Sequence, residues 1–124
     1  MKIPQGHQSV MSYLILPEAE NFSEFTKQVF DAKVSLTKLR EDEKTIMHSE
    51  LMIGNSTIMF AGATEQFTTQ TAHLFVYVDN ADETFQKALN NGATSVMGLS
   101  DQDYGRTCGV LDPFGNTWWI TSVK

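Results

Sequence analysis

The order strand, helix, strand, strand, strand occurs twice along this chain, and few folds accommodate that repetition. Met11-Ser12-Tyr13-Leu14-Ile15-Leu16 lays over His73-Leu74-Phe75-Val76-Tyr77-Val78, and Gly54-Asn55-Ser56 over Gly115-Asn116-Thr117. Each half opens with a β-rich run, Ser9–Leu16 and Ala72–Val78. A helix is expected after each. Glu18–Ala32 puts Phe22, Phe25 and Val29 on one face, and Ala81–Asn91 does so with Phe85, Ala88 and Leu89. Glu18, Glu20 and Glu24 lie where the first helix dipole favours acid; Asp79 or Asn80 caps the second helix and Gly92 stops it. Further strands are expected at Val34–Leu39, Thr45–Ile53, Ser56–Ala61, Thr94–Met97, Thr107–Leu111 and Thr117–Val123. Gly54-Asn55 and Asp112-Pro113-Phe114-Gly115-Asn116 supply the last turn of each half. The expected organisation is one domain, 1–124, with modules of about 9–63 and 71–124 meeting where Thr64–Gln70 breaks the strand pattern.

A chain of 124 residues, 41% hydrophobic and 19% charged, is neither a disordered tail nor a coiled coil. Its net charge of −6 argues against nucleic acid and anionic membranes as partners. No apolar run approaches the ~20 residues of a membrane span, and Met1–His7, broken by Pro4 and Gly6, does not read as a signal peptide. The one cysteine, Cys108, excludes an internal disulfide and a multi-cysteine zinc site. A reducing cytoplasm is the expected location.

Strand alternation sorts the side chains. Leu14, Leu16, Leu74, Val76 and Val78 belong under the helices, leaving Met11, Tyr13, Ile15, His73, Phe75 and Tyr77 to face a cavity. Ile46, His48, Glu50 and Met52 share a face, assigned to the cavity because it holds both ionisable groups. His48 and Glu50 either satisfy one another or form a base oriented by a carboxylate. Tyr104 and Arg106 lie in a loop-rich stretch, where Arg106 either clamps a carboxylate or phosphate or makes a surface ion pair. Cys108 reads as a buried structural thiol. Trp118 and Trp119 must face opposite ways, and Trp119, pointing inward, stacks on a flat ligand or plugs the cavity.

Two β-α-β-β-β modules, with His73 opening the second and Asp112-Pro113-Phe114-Gly115-Asn116-Thr117-Trp118-Trp119 near the end, resemble the vicinal oxygen chelate superfamily of glyoxalases, bleomycin-resistance proteins and extradiol dioxygenases. His48-Ser49-Glu50-Leu51, Ile53-Gly54-Asn55-Ser56 and Tyr104-Gly105-Arg106 resemble its PhnB-like branch. The resemblance implies an α+β fold whose modules form a curved half-barrel sheet around a cavity, and a homodimer. It also places the family's four metal-ligand positions on Met11, Ile58 or Met59, His73 and Trp119, of which His73 alone is a competent donor for a divalent ion. The expected function is therefore binding of a small organic molecule without the usual metal or any other cofactor. Met11, Tyr13, His48, Glu50, His73, Phe75, Tyr104, Arg106 and Trp119 are the expected contacts. The alternative is a small lyase, isomerase or dioxygenase-type enzyme using His48, Glu50 and His73, with or without a divalent metal.

Overall fold

The computed structural model describes residues 1–123; Lys124, the expected end of the second module, lies outside the described residues. Both halves fold as strand, helix and three strands. In the first, β1 (Ser12–Leu16) leads through a 3-10 turn (Ala19–Asn21) into α1 (Phe22–Phe30), then β2 (Lys33–Leu39), β3 (Ile46–Ile53) and β4 (Ser56–Gly62). The second runs β5 (His73–Tyr77), α2 (Ala81–Asn90), β6 (Thr94–Gln102), β7 (Gly105–Leu111) and β8 (Thr117–Ser122). Each half makes its own four-stranded mixed sheet, in the orders β1-β4-β3-β2 and β5-β8-β7-β6. The first strand of each pairs in parallel with the last, Tyr13 opposite Met59 and Phe75 opposite Trp119. Among the described residues the two sheets do not pair with one another.

One core serves both halves, because α1 carries aromatic side chains that reach into the second. Phe22 meets Phe60 of its own sheet edge-on at 5.0 Å and Phe114 of the other half at 5.4 Å. Phe30 lies 4.4 Å from the buried indole of Trp118. The smaller buried face of α2, formed by Ala81, Thr84 and Ala88, lets that helix approach its sheet closely. Asn80 is its cap, the side-chain oxygen accepting from the Glu83 amide at 3.1 Å.

The last turn of the second module is a buried hydrogen-bond hub. Asp112 accepts from the amides of Phe114 and Asn116, the Asn116 side chain and the Trp118 indole, at 2.8–3.0 Å. Asn116 in turn accepts from Ala72 N at 3.1 Å, tying the turn to the start of β5. The Asp-Pro-Phe-Gly-Asn-Thr-Trp-Trp string therefore acts as a structural lock: Asp112 closes the turn while Phe114 and Trp118 fill the core.

Two sequence expectations need correction. The second hairpin is longer, because β6 runs on to Gln102 and β7 starts at Gly105; register shifts between Ser95 and Met97 and between Met97 and Ser100 disrupt the alternation that would have shown it. Ile46 lies in the core, not with His48. Lys38 pairs with His48 but Leu39 with Ile46, so β3 has one extra residue there, and the bulge sends Met47 out to line a cavity instead.

Candidate functional site

The face of the first sheet turned away from α1 carries a continuous polar chain. Glu50 is buried, 8% exposed, and a buried carboxylate is costly unless bonded. Two imidazoles bond it: His48 Nε2 lies 2.8 Å from Oε2, and His7 Nε2 lies 2.7 Å from Oε1. These bonds hold the Glu50 carboxyl below its ordinary range, His48 contributing most. An ionised carboxylate only accepts, so both rings donate from Nε2. In its neutral form a His48 ring that donates from Nε2 offers Nδ1 as acceptor to the Tyr13 hydroxyl, 3.1 Å away. The line Tyr13–His48–Glu50–His7 thus links a buried charge to a half-exposed phenol.

His7 had no sequence signal, standing in a polar run 43 residues before Glu50. Its placement comes from its neighbours. Thr57 Oγ1 donates to the Gly6 carbonyl, Thr57 N donates to Gln8 Oε1 at 3.1 Å, and Gln8 Nε2 donates to the Asn55 carbonyl at 3.1 Å. Residues 6–8 are clamped across the start of β4, which swings His7 over Glu50.

Beside this chain lies an open, mainly apolar cavity of about 580 Å³, lined by Tyr13, Ile15, Met47, Ala61 and Phe67 together with Arg40, Thr64 and Gln66. That size suits a small organic molecule. Tyr13 belongs to both features: its ring walls the cavity and its hydroxyl ends the polar chain.

The remaining expected contacts lie elsewhere. Met11 and Phe75 line a separate hollow of about 480 Å³ between the modules. His73 and Trp119 stack on the open face of the second sheet, ring centroids 6.1 Å apart, with the indole Nε1 donating to His73 Nδ1 at 3.2 Å. Trp119 lies flat because residue 109 is glycine; a Cβ there would come within 2.5 Å of the indole. Tyr104 is exposed just after β6. Arg106 is not in a cavity: it shares the helix-side face of β7 with Cys108 and bonds Asp82 of α2 through Nε at 2.7 Å and Nη2 at 3.1 Å. Strand parity decides this, since the stretch read as loop is strand. Cys108 is fully buried, and burial pushes its thiol up to about 11.

His73 therefore sits on a different sheet from His48 and Glu50. No group of three or more histidine, cysteine, aspartate or glutamate side chains among the described residues is arranged to hold a metal. The register puts Met59 on the open face opposite Tyr13, so the positions that the resemblance implies for the family's ligands would be Met11, Met59, His73 and Trp119. Two thioethers, one imidazole and an indole do not fit the nitrogen and oxygen donor set of a glyoxalase-type divalent centre.

Paired βαβββ modules, two unclosed mixed sheets and a site on an open sheet face define an α+β protein of the glyoxalase type. Residues 12–120 match the Glyoxalase/Bleomycin resistance protein/Dioxygenase superfamily, and the chain belongs to that family, the vicinal oxygen chelate superfamily. It is 33% identical over 120 residues to an uncharacterized protein of Mycobacterium bovis, covering 86% of this chain and 77% of that one. Its fold is similar to that of TioX from Micromonospora sp. ML1, with TM-score 0.73, 23% identity and coverage of 94% and 97% of the two chains. The PhnB protein of Bacillus cereus is also similar, with TM-score 0.72, 16% identity and coverage of 94% and 100%. No helix among the described residues is long and apolar enough to cross a membrane.

Proposed function

We propose that this protein binds a small organic molecule in the cavity beside Tyr13, without a glyoxalase-type metal centre. The observation that carries the reading is the shared use of Tyr13, whose ring walls an apolar cavity while its hydroxyl ends a hydrogen-bonded line to a buried, ionised Glu50. An apolar chamber with a few fixed polar groups is the usual form of a small-molecule site. A second copy of the chain covers the open faces. Support comes from the wholly exposed edge strand β2, with Val34, Leu36 and Leu39 facing water, and from Phe75 and Tyr77 on β5, 53% and 66% exposed. Two-fold pairing is the commonest way to close such surfaces.

The same line supports a second reading. With Glu50 fixing its tautomer, His48 Nδ1 can take a proton from Tyr13 or return it, which is general acid–base machinery facing a cavity. Native mass spectrometry of the protein as purified, beside Tyr13→Phe and Glu50→Ala, tests both readings. The expected spectrum is a dimer carrying an organic adduct whose occupancy falls in both variants. A stoichiometric divalent metal, lost in Glu50→Ala, would overturn the metal-free reading.

A further inference from the structure

We infer that the ligand of this cavity is an organic monoanion, an apolar or aromatic body bearing one carboxylate, and that Arg40 is its counter-ion. The inference rests on the binding reading above and names its ligand class. Arg40 follows β2, and its guanidinium reaches the far end of β4, where Nη2 donates to the Gly62 carbonyl at 2.9 Å. Gly62 makes room for it: a Cβ there would stand 3.2 Å from Nη1. This is the one side-chain hydrogen bond Arg40 makes among the described residues, although a guanidinium has five N–H donors. No carboxylate of the described residues lies within 4.0 Å of it.

Asp42, near enough to sense the charge of Arg40, is committed to its own loop. It accepts from the amides of Lys44 and Thr45 at 2.9 Å and from Thr45 Oγ1 at 2.8 Å. Lys2, Lys27, Lys33, Lys38 and Lys44, also without ion partners among the described residues, are exposed and solvated. Arg40 differs: it is half-buried, anchored by one bond, and lines the cavity beside Tyr13, Ile15, Met47, Ala61 and Phe67. None of the chain's fifteen acidic residues bonds this cation, and Asp42 feels its charge only from a distance.

A carboxylate matches the guanidinium fork. A doubly charged phosphate monoester would bring a second charge, and Arg40 is the one cationic side chain among the described residues lining this cavity. The rest of the molecule fills the chamber, towards Tyr13 and the polar line behind it.

The test uses the full chain with two probes of one shape, naphthalene-2-carboxylate and naphthalene-2-carboxamide, read by the methyl resonances of Ile15, Met47 and Ala61. Both probes should move these methyls, the carboxylate binding about tenfold more tightly, as expected for a charge-assisted bond. Arg40→Met should weaken the carboxylate far more than the carboxamide and so close that gap, while Arg40→Lys keeps part of it. In the wild type, added salt should weaken the carboxylate alone, which reads the same charge if Arg40→Met fails to fold. Equal wild-type affinities, or a gap that survives in Arg40→Met, overturn the role of Arg40 and leave the binding reading standing. Tighter binding of 2-naphthyl phosphate than of the carboxylate overturns the monoanion class. If neither probe moves these methyls, both readings fall.

Discussion

At the position where the first sheet holds Glu50, the second holds Gly109. The registers make the correspondence: Glu50 stands opposite Met59 and next to Tyr13's row, while Gly109 stands opposite Trp119 and next to Phe75's row. In one module a buried carboxylate gathers two imidazoles and, through one of them, a phenol. In the other the vacant Cβ position receives an indole that lies flat and donates to His73. The last turns differ too. Gly54-Asn55 is exposed and lightly tied, whereas Asp112–Asn116 is wired into the core. One module commits its polar groups to an open face, the other to its own scaffold. A duplicated architecture thus separates site from support, and four predictions test that division.

The largest effect is expected at Asp112. Asp112→Ala strips the acceptor from four buried or core-linked donors at once, and should lower stability by about 3–4 kcal/mol. Asn55→Ala in the corresponding turn should cost no more than about 0.5 kcal/mol, as surface changes do. Urea denaturation of the two variants measures the contrast. Similar losses would show that the two turns carry equal weight and erase the distinction.

Gly109→Ala comes next. The new methyl would overlap the Trp119 ring, 2.5 Å from its nearest atom, so the indole must leave the sheet. Overpacking of this kind costs about 1–3 kcal/mol. Tryptophan emission should shift to the red as Trp119 becomes solvated, while the methyl resonances of Ile15 and Met47 on the first sheet stay in place. Movement of those resonances would mean that the two open faces are coupled.

Much of this division could be read from the chain, and the exceptions have physical causes. Alternation correctly separated Leu14, Leu16 and Val76 from Tyr13, Phe75 and Tyr77, because short strands with one buried face advertise it residue by residue. It also placed His48 and Glu50 together. It failed where one residue is inserted: the bulge at Met47 returns Ile46 to the core, and those in β6 disguise a strand as loop. Of the two roles left open for Arg106, it takes the surface ion pair, with Asp82. His7 and Arg40 were invisible for a different reason. Each reaches its place through contacts with β4, His7 by way of Thr57 and Arg40 by way of Gly62, and no periodicity reports such long-range contacts. The role of Asp112 was half legible, since Asp-Pro-x-Gly marks a turn but not the indole that the same carboxylate holds.

Glu50→Gln tests the polar side of the comparison. Glutamine keeps the shape but has one carbonyl oxygen where Glu50 has two acceptors, so one histidine loses its acceptor and keeps a bond only by changing tautomer. The expected cost is about 1–2 kcal/mol near neutral pH. The pH profile is more specific. Glu50 is held below its ordinary value of 4.5 in the folded protein, so the unfolded chain takes up the proton first as pH falls. The stability Glu50 contributes is complete above 4.5 and is lost as pH drops through its lowered folded value. Wild type should therefore weaken across that acidic window and Glu50→Gln should weaken less. Parallel profiles would mean that the carboxylate is not held by its two histidines.

The smallest effect is expected at Arg106, although its bonding looks the most complete on paper. Its guanidinium grips Asp82 through two nitrogens and approaches Asp101 at 3.5 Å, and these contacts hold the Asp82 carboxyl below its usual range. Water reaches both partners, however; the Asp82 side chain is 53% exposed and that of Arg106 35%. Exposed pairs gain little over their solvated ions, and salt screens what they gain. Arg106→Ala should lower the urea midpoint only slightly, less than Asp112→Ala, Gly109→Ala or Glu50→Gln, and raising the salt concentration should close even that gap. A double-mutant cycle with Asp82→Ala isolates the pair from the packing of the Arg106 stem along α2. Because Arg106 points toward that helix, the variant should also leave the carboxylate preference of the Arg40 cavity unchanged. Loss of that preference in Arg106→Ala would move the anion site to the second module and reverse the assignment of site and support.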